Sequence, residues 1–328
     1  MKTEIKQILV IRLSSLGDIL LTTPVLRALK NKYTGCDITF LCRTQYHNAV
    51  KTNKNISNFL LLNTDENEAE ISGKIKSGNF DLIIDLQNNF RSRNLLKEIK
   101  TPILKFHKPN IKKFLLVNFK INLYKNYLSI PELYAGTVPG LELDDEGIDF
   151  EIPAGFKPSL SDGEKYIGFI PGSKHFTKRW PDEFFTRLGQ LMNKYGYTIA
   201  IFGGKDDAEY CGKIASRINK SVNLCNDNDL YKTAADMQKC SLIIGNDSGL
   251  MHTASAYYIP LIVLFGSSVE QFGFAPYKRE AVIMQNENLK CRPCSHFGKE
   301  ECPKKHFNCM NEITPNLVFE KIKKILSL

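Results

Sequence analysis

Short apolar runs of strand length alternate along the chain with longer segments in which apolar residues recur at helical spacing. The strand-like runs are residues 7–12, 37–42, 59–62, 81–86 and 103–106 in the first half, and 165–170, 197–202, 222–224, 242–245, 260–265 and 281–284 in the second. Strands that alternate with helices build parallel sheets that are covered on both faces. The pattern therefore predicts an α/β protein with two doubly wound parallel sheets.

Breaks in this pattern predict how the chain divides. Residues 141–164 are acidic and rich in glycine and proline, as inter-domain linkers are, and 328 residues suffice for about two cores. Thr314-Pro315-Asn316 starts a last amphipathic segment. We predict a first domain over 1–150, a second over 151–312 and a closing helix over 313–328. Ligands of such domains bind at the carboxyl ends of the strands, so the cleft between the domains is the expected site.

Apolar runs and cysteines indicate the compartment. No apolar stretch approaches bilayer-spanning length, and the first residues lead into a strand pattern without a signal-peptide core. Five of the nine cysteines stand singly in or beside apolar segments, as reduced core cysteines do: Cys36, Cys42, Cys211, Cys225 and Cys240. We expect a cytoplasmic protein with no transmembrane segment and no disulfide framework.

Positive charge is concentrated in one stretch. The formal net charge is +9, and ten lysine and arginine residues within 91–128 face only Glu98. Interleaved with aromatic and aliphatic residues, this stretch fits an acidic polymer or an anionic membrane surface. It fits a solvated helical face in a lysine-rich protein equally well. Both interpretations stay open on sequence alone.

Two strand-to-helix turns carry the candidate chemistry. The first strand leads into a turn that ends at Asp18 and offers a carboxylate, whereas residues 245–252 follow a later strand and begin a helix whose N–H groups can hold phosphate. Gly17 is the only glycine of the first turn, so the dinucleotide fingerprint is missing. Gly203-Gly204-Lys205 lacks the spacing of a P-loop. Hydride transfer and nucleoside triphosphate hydrolysis are therefore disfavoured.

Four segments, in this order, resemble one known family. They are residues 12–24, Asp85-Leu86-Gln87 with Arg91-Ser92, residues 171–181 and residues 245–252. With these segments the chain resembles the ADP-heptose:lipopolysaccharide heptosyltransferases of glycosyltransferase family 9 over nearly its whole length. The resemblance implies the GT-B fold, in which two Rossmann-like domains face each other across a cleft. It also implies an inverting, metal-independent sugar transfer without a cofactor, with the acceptor on the first domain and the nucleotide sugar on the second.

The same resemblance implies the partners. The donor would be ADP-heptose or a related nucleotide sugar, and the acceptor an acidic glycolipid at the membrane surface, Kdo-lipid A or heptosyl-Kdo-lipid A, with no nucleic acid involved. The enzyme would then be cytoplasmic, and peripheral attachment to the inner face of the bacterial inner membrane stays open. The exact donor sugar, the acceptor and the oligomeric state are left open too.

Two residues are the catalytic candidates. An inverting transfer needs a base for the acceptor hydroxyl proton, and positive charge or hydrogen-bond donors for the departing diphosphate. Asp18 matches the family's general base, although Ser15-x-x-Asp18 is also a capping box. Lys178 matches a family lysine that reaches the donor phosphate and sugar, although it also fits a surface lysine ahead of Trp180.

The substrate-binding candidates follow from the same segments. Gly172 and Ser173 match a loop that touches the diphosphate, with an ordinary turn as the alternative. Asp247 matches a carboxylate that holds sugar hydroxyls, with an N-cap as the alternative. Asp207 lies near the position that holds the ribose, where Glu209 is a rival. The motif 245–252 adds further candidates: Ser248, Gly249, Leu250 and His252.

Two patterns raise the question of a metal. Asp227-Asn228-Asp229 looks like a metal-binding D-x-D, but its place before a helix favours capping or contact with the nucleoside base. The cysteine-rich stretch fits either a structural zinc site or a reduced surface loop, and it comprises Cys291, Cys294, Cys302 and Cys309 with His296 and His306 nearby. We predict no catalytic metal.

Three other functions compete with heptose transfer from ADP-heptose. A family 9 transferase could use a different nucleotide sugar, and a pseudoenzyme could bind nucleotide sugars without turnover. Retention of Asp18, Lys178 and Asp247 disfavours the pseudoenzyme. A zinc-dependent nucleic-acid module would explain the lysines and cysteines but leaves the two-sheet pattern unexplained.

Overall fold

The computed structural model describes residues 4–63, 67–226 and 228–328. The chain packs as two compact units. One comprises Met1–Lys108 with Leu128–Glu151, and the other comprises Pro109–Tyr127 with Ile152–Leu328. Each unit contains one parallel sheet and its helices.

The first unit is built on a five-stranded sheet. Its strands are β1 (Gln7–Ile11), β2 (Asp37–Arg43), β3 (Asn58–Leu62), β4 (Leu82–Asp85) and β5 (Ile103–Lys105). Its helices are α1 (Leu16–Leu20), α2 (Thr23–Lys32), α3 (Glu68–Ser77), α4 (Phe90–Leu95) and α6 (Ile130–Ala135), and a 3₁₀ helix spans Thr44–Ala49. Helix α5 (Asn110–Phe119) comes before α6 in the chain but belongs to the second unit. The strand order β3-β2-β1-β4-β5 changes direction between β1 and β4. Loops at the carboxyl ends of β1 and β4 therefore meet where doubly wound sheets bind ligands.

The second unit is built on a six-stranded sheet. Its strands are β6 (Tyr166–Ile170), β7 (Thr198–Ile201), β8 (Ser221–Asn223), β9 (Cys240–Asn246), β10 (Leu261–Phe265) and β11 (Ala281–Gln285). Besides α5, its helices are α7 (Asp182–Lys194), α8 (Ala208–Ala215), α9 (Leu230–Met237), α10 (Gly249–Ala254), α11 (Asn308–Asn311) and α12 (Pro315–Leu326), with 3₁₀ turns at Phe176–Lys178, Lys205–Asp207 and Glu270–Phe272. The strand order β11-β10-β9-β6-β7-β8 changes direction between β6 and β9. The loops after these two strands hold most of the predicted binding residues.

Every strand-like run of the sequence forms a strand, and the strands of both sheets pair in parallel. Central strands such as β6 and β10 are buried along their whole length. Helices on both faces of a parallel sheet leave no solvated face, so its strands read as continuous apolar runs. The prediction of doubly wound parallel sheets is confirmed.

The final helix completes the core of the second unit. The Thr314 side chain caps α12 by accepting the N–H of Leu317, and Pro315 occupies the first turn. Val318 and Ile322 are fully buried in the same cluster as Trp180. The amphipathic segment predicted near the end of the chain is therefore part of the second core. The division into 1–150, 151–312 and 313–328 stays a prediction about folding units.

Two segments pack differently from what that division suggests. Residues 109–127 lie in the second unit, where Leu116 packs on Val269 and Phe272. Acidic residues of the predicted linker are partners of a helix in the first unit: Arg27 pairs with Asp144 at 2.5 Å and with Asp149 at 2.6 Å. Among the residues that the structure describes, no helix has the length and apolar character needed to cross a membrane.

Gly168 at the centre of β6 provides a test of the packing. A Cβ at this position would lie 2.9 Å from Ile243 Cγ1 and 3.0 Å from the Phe202 ring. Overpacking a central strand in this way should lower the free energy of unfolding of Gly168→Ala by about 1–3 kcal/mol in urea titrations. Gly73→Ala in α3, where a Cβ meets no neighbour within 4 Å, should raise it by up to about 1 kcal/mol. Equal effects of the two substitutions would contradict the β6 packing.

Candidate functional site

The turn after β1 holds Asp18 through both of its carboxylate oxygens. Oδ2 accepts hydrogen bonds from the Ser15 hydroxyl at 2.7 Å and from the Ser15 N–H at 3.2 Å. Oδ1 pairs with an Arg12 Nη2 at 2.7 Å and accepts a longer bond of 3.3 Å from the Tyr134 hydroxyl. Asp18 therefore caps α1 with one oxygen and presents the other to a buried cation.

The surroundings of Asp18 keep it ionised. Burial by itself would raise the pKa of this carboxyl, but the Arg12 guanidinium and the hydrogen bonds from Ser15 outweigh burial and hold the pKa below its usual value. Burial raises the pKa of Tyr134 and keeps this phenol a hydrogen-bond donor. The Arg12 guanidinium carbon lies 5.4 Å from the centre of the Tyr134 ring. A buried carboxylate in this state can accept a proton only from a group that reaches it directly.

The Asp85-Leu86-Gln87 segment supports this turn from the neighbouring strand. Gln87 Oε1 accepts the N–H groups of Leu13 and Ser14 at 3.0 and 3.2 Å. Asp85, which is fully buried, accepts the Ser92 hydroxyl at 2.8 Å and the Gln87 N–H at 3.0 Å. These side chains position the turn of Asp18 from the end of β4.

The basic stretch 91–128 is divided by the fold. Arg91 pairs with Glu68 at 2.8 Å, and Lys113 is only 9% exposed. Lys108 belongs to the first unit, whereas Lys112 and Lys113 belong to the second. The stretch is therefore neither one continuous cationic face nor a fully solvated helix.

Lys108 is a half-buried lysine of this stretch in the first unit. Its Nζ donates to the Asn88 carbonyl at 3.3 Å. Burial and the nearby Arg12 guanidinium lower the pKa of Lys108, while the Asp85 and Asp18 carboxylates act in the opposite direction. Arg12 and Lys108 together give the surroundings of Asp18 two cationic side chains.

In the second unit, Lys178 and Asp247 form a buried ion pair. Lys178 Nζ lies 2.5 Å from Asp247 Oδ2, which also accepts the Ser268 hydroxyl at 2.7 Å. Burial would raise the pKa of Asp247, but Lys178, Ser268 and His252 together hold it below its usual value. Lys178, which was open to interpretation as a surface residue, is 16% exposed at its side chain. The two residues form one charged group between the loops that follow β6 and β9.

Asn246 connects the end of β9 to the loop after β6 that carries Lys178. Its Oδ1 accepts the Trp180 N–H at 3.0 Å, and its Nδ2 donates to the Pro171 carbonyl at 2.7 Å. Trp180 is fully buried and its indole N–H donates to the Ile313 carbonyl at 2.7 Å. The loop of Lys178 is thereby fastened between the ends of β6 and β9.

Gly172, Ser173 and Asp207 form a second group in this unit. A Cβ on Gly172 would lie 2.4 Å from the Asp207 carboxyl group, so only glycine lets this carboxyl lie on the backbone there. The Ser173 carbonyl accepts Arg179 Nε at 2.6 Å. Burial raises the pKa of Asp207 above its usual value. Glu209, its rival, is exposed on α8.

The start of α10 carries the remaining candidates. Ser248, not Asp247, is the N-cap residue, which removes the capping alternative for Asp247. Within the part of the chain that the structure describes, Ser248 Oγ is buried without a hydrogen-bond partner. Gly249 and Leu250 supply the first N–H groups of the helix, and His252 is buried one turn further on. This loop has donors available for a ligand.

The acidic motif before α9 is accounted for only in part. Asp229 is the N-cap of α9, and its Oδ1 accepts the N–H groups of Tyr231 and Lys232 at 3.1 Å each. Asp227 lies outside the residues that the structure describes. The capping interpretation holds for Asp229.

The cysteines of the last quarter of the chain are spread between core and surface. Cys291 Sγ lies 3.8 Å from His306 Nε2, whereas Cys309 is buried in the core of the second unit. All nine cysteines are free thiols. Across residues 4–63, 67–226 and 228–328, no group of three or more His, Cys, Asp or Glu side chains is placed to hold a metal ion.

Sequence reasoning identified the candidate carboxylates but not all of their partners. Arg12 stands directly before the turn of Asp18, and Ser268 follows the apolar run of β10 as the other candidates follow their strands, so a strand-end signal was present for both. Arg292 donates to the Ser268 carbonyl at 2.7 Å from a distant loop. Tyr134 reaches Asp18 from α6, and no local pattern indicates this contact.

Sequence comparison relates the chain to one known family. The family model described as glycosyltransferase family 9 (heptosyltransferase) matches residues 69–305. A lipooligosaccharide heptosyltransferase 2 of Campylobacter jejuni is 27% identical over 321 residues, which cover 94% of this chain and 96% of the relative. A lipopolysaccharide heptosyltransferase 2 of Salmonella typhimurium is 30% identical over 175 residues, 52% of this chain and 49% of the relative.

Solved structures agree with the fold prediction. A family 9 glycosyl transferase from Veillonella parvula superposes with a TM-score of 0.79 at 24% identity, covering 99% of this chain and 98% of the other. The E. coli ADP-heptose LPS heptosyltransferase II superposes with a TM-score of 0.76 at 22% identity, covering 98% of both chains. At these identities the likeness concerns the fold, and the predicted GT-B class with two Rossmann-like domains is confirmed.

The buried amide of Asn246 should be essential for stability. Asn246→Ala removes the partners of the Trp180 N–H and the Pro171 carbonyl, and each buried group left unsatisfied costs about 1–3 kcal/mol. We expect the free energy of unfolding to fall by about 2–4 kcal/mol in urea titrations. Asn58→Ala, at an exposed position of β3, should change it by less than about 0.5 kcal/mol. Equal stability of the two variants would show that Asn246 does not connect the loops.

Proposed function

We infer the reaction of this protein from the family to which the chain belongs, glycosyltransferase family 9, the family of the heptosyltransferases. The protein is a glycosyltransferase. We propose that it transfers heptose from ADP-heptose to the inner core of lipopolysaccharide or lipooligosaccharide, with inversion at the transferred carbon. The names of its relatives, a lipooligosaccharide heptosyltransferase 2 and an ADP-heptose LPS heptosyltransferase II, support the donor and the acceptor class.

The ionised, partly accessible carboxylate of Asp18 is the observation that carries the proposal. Its side chain is 17% exposed, and the 3.3 Å contact from Tyr134 is the longest of its hydrogen bonds. An acceptor hydroxyl would compete for Oδ1 at that position. Asp18 would then take the hydroxyl proton as the oxygen attacks the sugar carbon, and Arg12 would hold the carboxylate in place.

The departing ADP needs positive charge and hydrogen-bond donors. Lys178 would provide the charge, with Asp247 orienting its ammonium group through the 2.5 Å contact. Ser248 and the first N–H groups of α10, at Gly249 and Leu250, would donate to the diphosphate. The unpartnered Ser248 hydroxyl supports this assignment. Because these groups already supply the stabilising donors, the proposed reaction needs no metal ion.

The remaining candidates are assigned to the donor. Asp247 would accept hydrogen bonds from sugar hydroxyls, and the buried His252 helps to keep its pKa low. Asp207 would accept a ribose hydroxyl, and Gly172 and Ser173 would line the diphosphate. The closeness of Asp207 to Gly172 favours it over the exposed Glu209 for the ribose. Comparing the dissociation constants of ADP and adenosine would separate the contribution of the diphosphate contacts from that of the nucleoside contacts.

The acceptor and the location complete the proposal. An acidic glycolipid would meet Lys108 and Arg12 by the base. A cytoplasmic location, with peripheral attachment to the inner face of the inner membrane, follows from the lipid-linked acceptor and agrees with nine free thiols. Thermal stabilisation by ADP-heptose but not by UDP-, GDP- or dTDP-sugars would support the donor. Stabilisation by a different nucleotide sugar would make that sugar nucleotide the donor. Binding without turnover would mean that the protein holds nucleotide sugars but does not transfer them.

Replacing the base should remove turnover and leave donor binding intact. Asp18→Asn keeps the size of the side chain but not its basicity, so we expect kcat to fall by about 10²- to 10⁴-fold. The dissociation constant of ADP, measured by calorimetry, should stay unchanged. Asp162→Asn, at a surface carboxylate that is 90% exposed, is the matched control and should keep full activity. An undiminished rate for Asp18→Asn would leave Asp18 with its capping role alone.

The pH profile of the wild-type enzyme tests the same assignment. Because the pKa of Asp18 is held below its usual value of 3.8, the base is ionised throughout the neutral range, and an acid limb due to Asp18 must lie below that pH. Activity should therefore not decline between about pH 8 and 5 through protonation of this group. An acid limb near pH 6 that is unaffected by donor concentration would require a different base.

Lys178→Ala should lower kcat more than the removal of divalent cations does. The loss of one donor to the leaving group costs about 10²- to 10³-fold, whereas chelated buffer should leave the rate unchanged. Lys174→Ala, at an exposed lysine of the same loop, is the control. Lys178→Arg and melting curves separate loss of charge from loss of stability, because the truncation leaves Asp247 buried without its partner. If chelation abolishes activity of the folded enzyme and magnesium or manganese restores it, Asp227 and Asp229 become the candidates.

Lys108 should affect the acceptor and not the donor. Lys108→Gln removes a cation beside Asp18, so we expect a several-fold higher KM for the phosphorylated acceptor, with a weaker dependence on salt. The KM of the donor should not change. Lys100→Gln, at an exposed lysine of the same basic stretch, is the control. Equal changes in both KM values would argue that Lys108 acts on the structure of the site.

A further inference from the structure

The segment around α5 exposes an unusual amount of apolar surface. Of the sixteen large hydrophobic side chains that are exposed among the described residues, six lie within residues 111–127. We name these six the α5 surface: Ile111, Phe114, Phe119, Ile121, Leu123 and Tyr127. Single exposed apolar residues are normal on a protein surface, but a concentration in one short segment marks an interaction site.

Helix α5 has two apolar faces, and only one of them is needed to hold it. Leu116 is buried against Val269 and Phe272 of its own unit. Ile111 and Phe114 lie one helical turn apart on another face and are 75% and 56% exposed. The Phe114 ring lies 5.8 Å from that of Phe119, so the apolar face continues past the end of the helix. This second face is unused by the fold of the unit.

The charge of the segment is of one sign. Residues 99–131 contain seven lysines and no aspartate or glutamate. Within the second unit, Lys112, Lys120 and Lys125 are exposed beside the α5 surface. Lys112 Nζ lies 5.8 Å from the centre of the Tyr124 ring, and Lys120 Nζ donates to the Pro293 carbonyl at 2.6 Å. One carboxylate also borders the surface, since Glu270 accepts the Tyr127 hydroxyl at 3.3 Å. Apolar side chains that are bordered mainly by lysines complement an anionic surface with an apolar layer beneath it.

We propose that the α5 surface docks on the anionic phospholipid surface of a bilayer. The aromatic and aliphatic side chains enter the boundary between headgroups and acyl chains, and Lys112 and Lys125 lie at the level of the phosphates. A ten-residue helix is too short to span the membrane and lies in its plane. The proposal rests on the proposed function in one respect, since that function identifies the membrane as the one that carries the acceptor.

Vesicle flotation with the full-length chain tests the docking directly. Vesicles of phosphatidylcholine mixed with phosphatidylglycerol, which contain neither donor nor acceptor, should carry the protein at low salt. Vesicles of phosphatidylcholine alone should bind it at least about fivefold more weakly, because the electrostatic attraction of the lysines is lost. High salt should weaken binding to the anionic vesicles. Equal, salt-independent partitioning to both vesicles, or none to either, would overturn the proposal.

Two pairs of variants separate the apolar and charged contributions. Phe114→Ser with Phe119→Ser should weaken binding to anionic vesicles by about tenfold or more at any salt concentration. Lys112→Gln with Lys125→Gln should weaken it by about tenfold at low salt and hardly at high salt. The controls are Tyr258→Ser with Leu317→Ser and Lys54→Gln with Lys232→Gln, all at exposed positions elsewhere. Controls that weaken binding as much as the α5 variants would contradict a specific docking surface.

Folding, self-association and activity distinguish the competing outcomes. Melting temperatures within a few degrees of wild type establish that the variants are folded. If sedimentation velocity shows a dimer that Phe114→Ser with Phe119→Ser dissociates, a second copy covers this surface and the proposal fails. Sugar transfer to a water-soluble, delipidated acceptor should keep its kcat in all α5 variants. Loss of vesicle binding with retained transfer supports the proposal, and absence of transfer in wild-type protein that still binds vesicles contradicts the proposed function alone.

Discussion

Burial of charge at the ends of the central strands is the constraint on which the candidate site depends. A carboxylate removed from water is unfavourable unless a cation and hydrogen-bond donors compensate it. Asp18 meets this requirement with Arg12 and Ser15, and Asp247 meets it with Lys178 and Ser268. Each ion pair therefore fixes the conformation of its own loop and keeps its carboxylate charged. In the proposed function, the same interactions that stabilise the loops would prepare them to bind a polar substrate.

Capping and catalysis are compatible at Asp18 because a carboxylate has two oxygens. Oδ2 satisfies the first turn of α1, and Oδ1 faces Arg12 and Tyr134. The alternatives that the local pattern suggests are therefore not exclusive, and the structural role explains why the side chain has one fixed orientation. A base with a fixed orientation loses little entropy when its substrate binds. Asn246 likewise has two roles, since its side chain supports the core and positions the loop of Lys178.

Folding places the basic residues of the stretch 91–128 in different environments. Arg91 is paired with Glu68, Lys108 lies by the candidate base, and Lys112 borders an exposed apolar face in the other unit. A run that is continuous in sequence is thus divided into a structural, a substrate-binding and a membrane-docking part, the last two as proposals. The net charge sets the long-range attraction to an acidic membrane. Burial and ion pairing decide which of the lysines contribute to this attraction.

The sequence by itself determined the strands, the class of fold and the turns that carry the chemistry. Apolar periodicity records which positions are buried, and a turn after a buried strand in a parallel sheet must lie at the carboxyl edge, so the turns could be located without coordinates. Within these turns, the resemblance to family 9 selected Asp18, Lys178 and Asp247. Only the tertiary structure decided their partners. Tyr134 reaches Asp18, and Ser268 reaches Asp247, from segments remote in sequence. The placement of α5 in the second unit was likewise beyond local patterns, because an amphipathic helix specifies that one face is buried but not which core receives it.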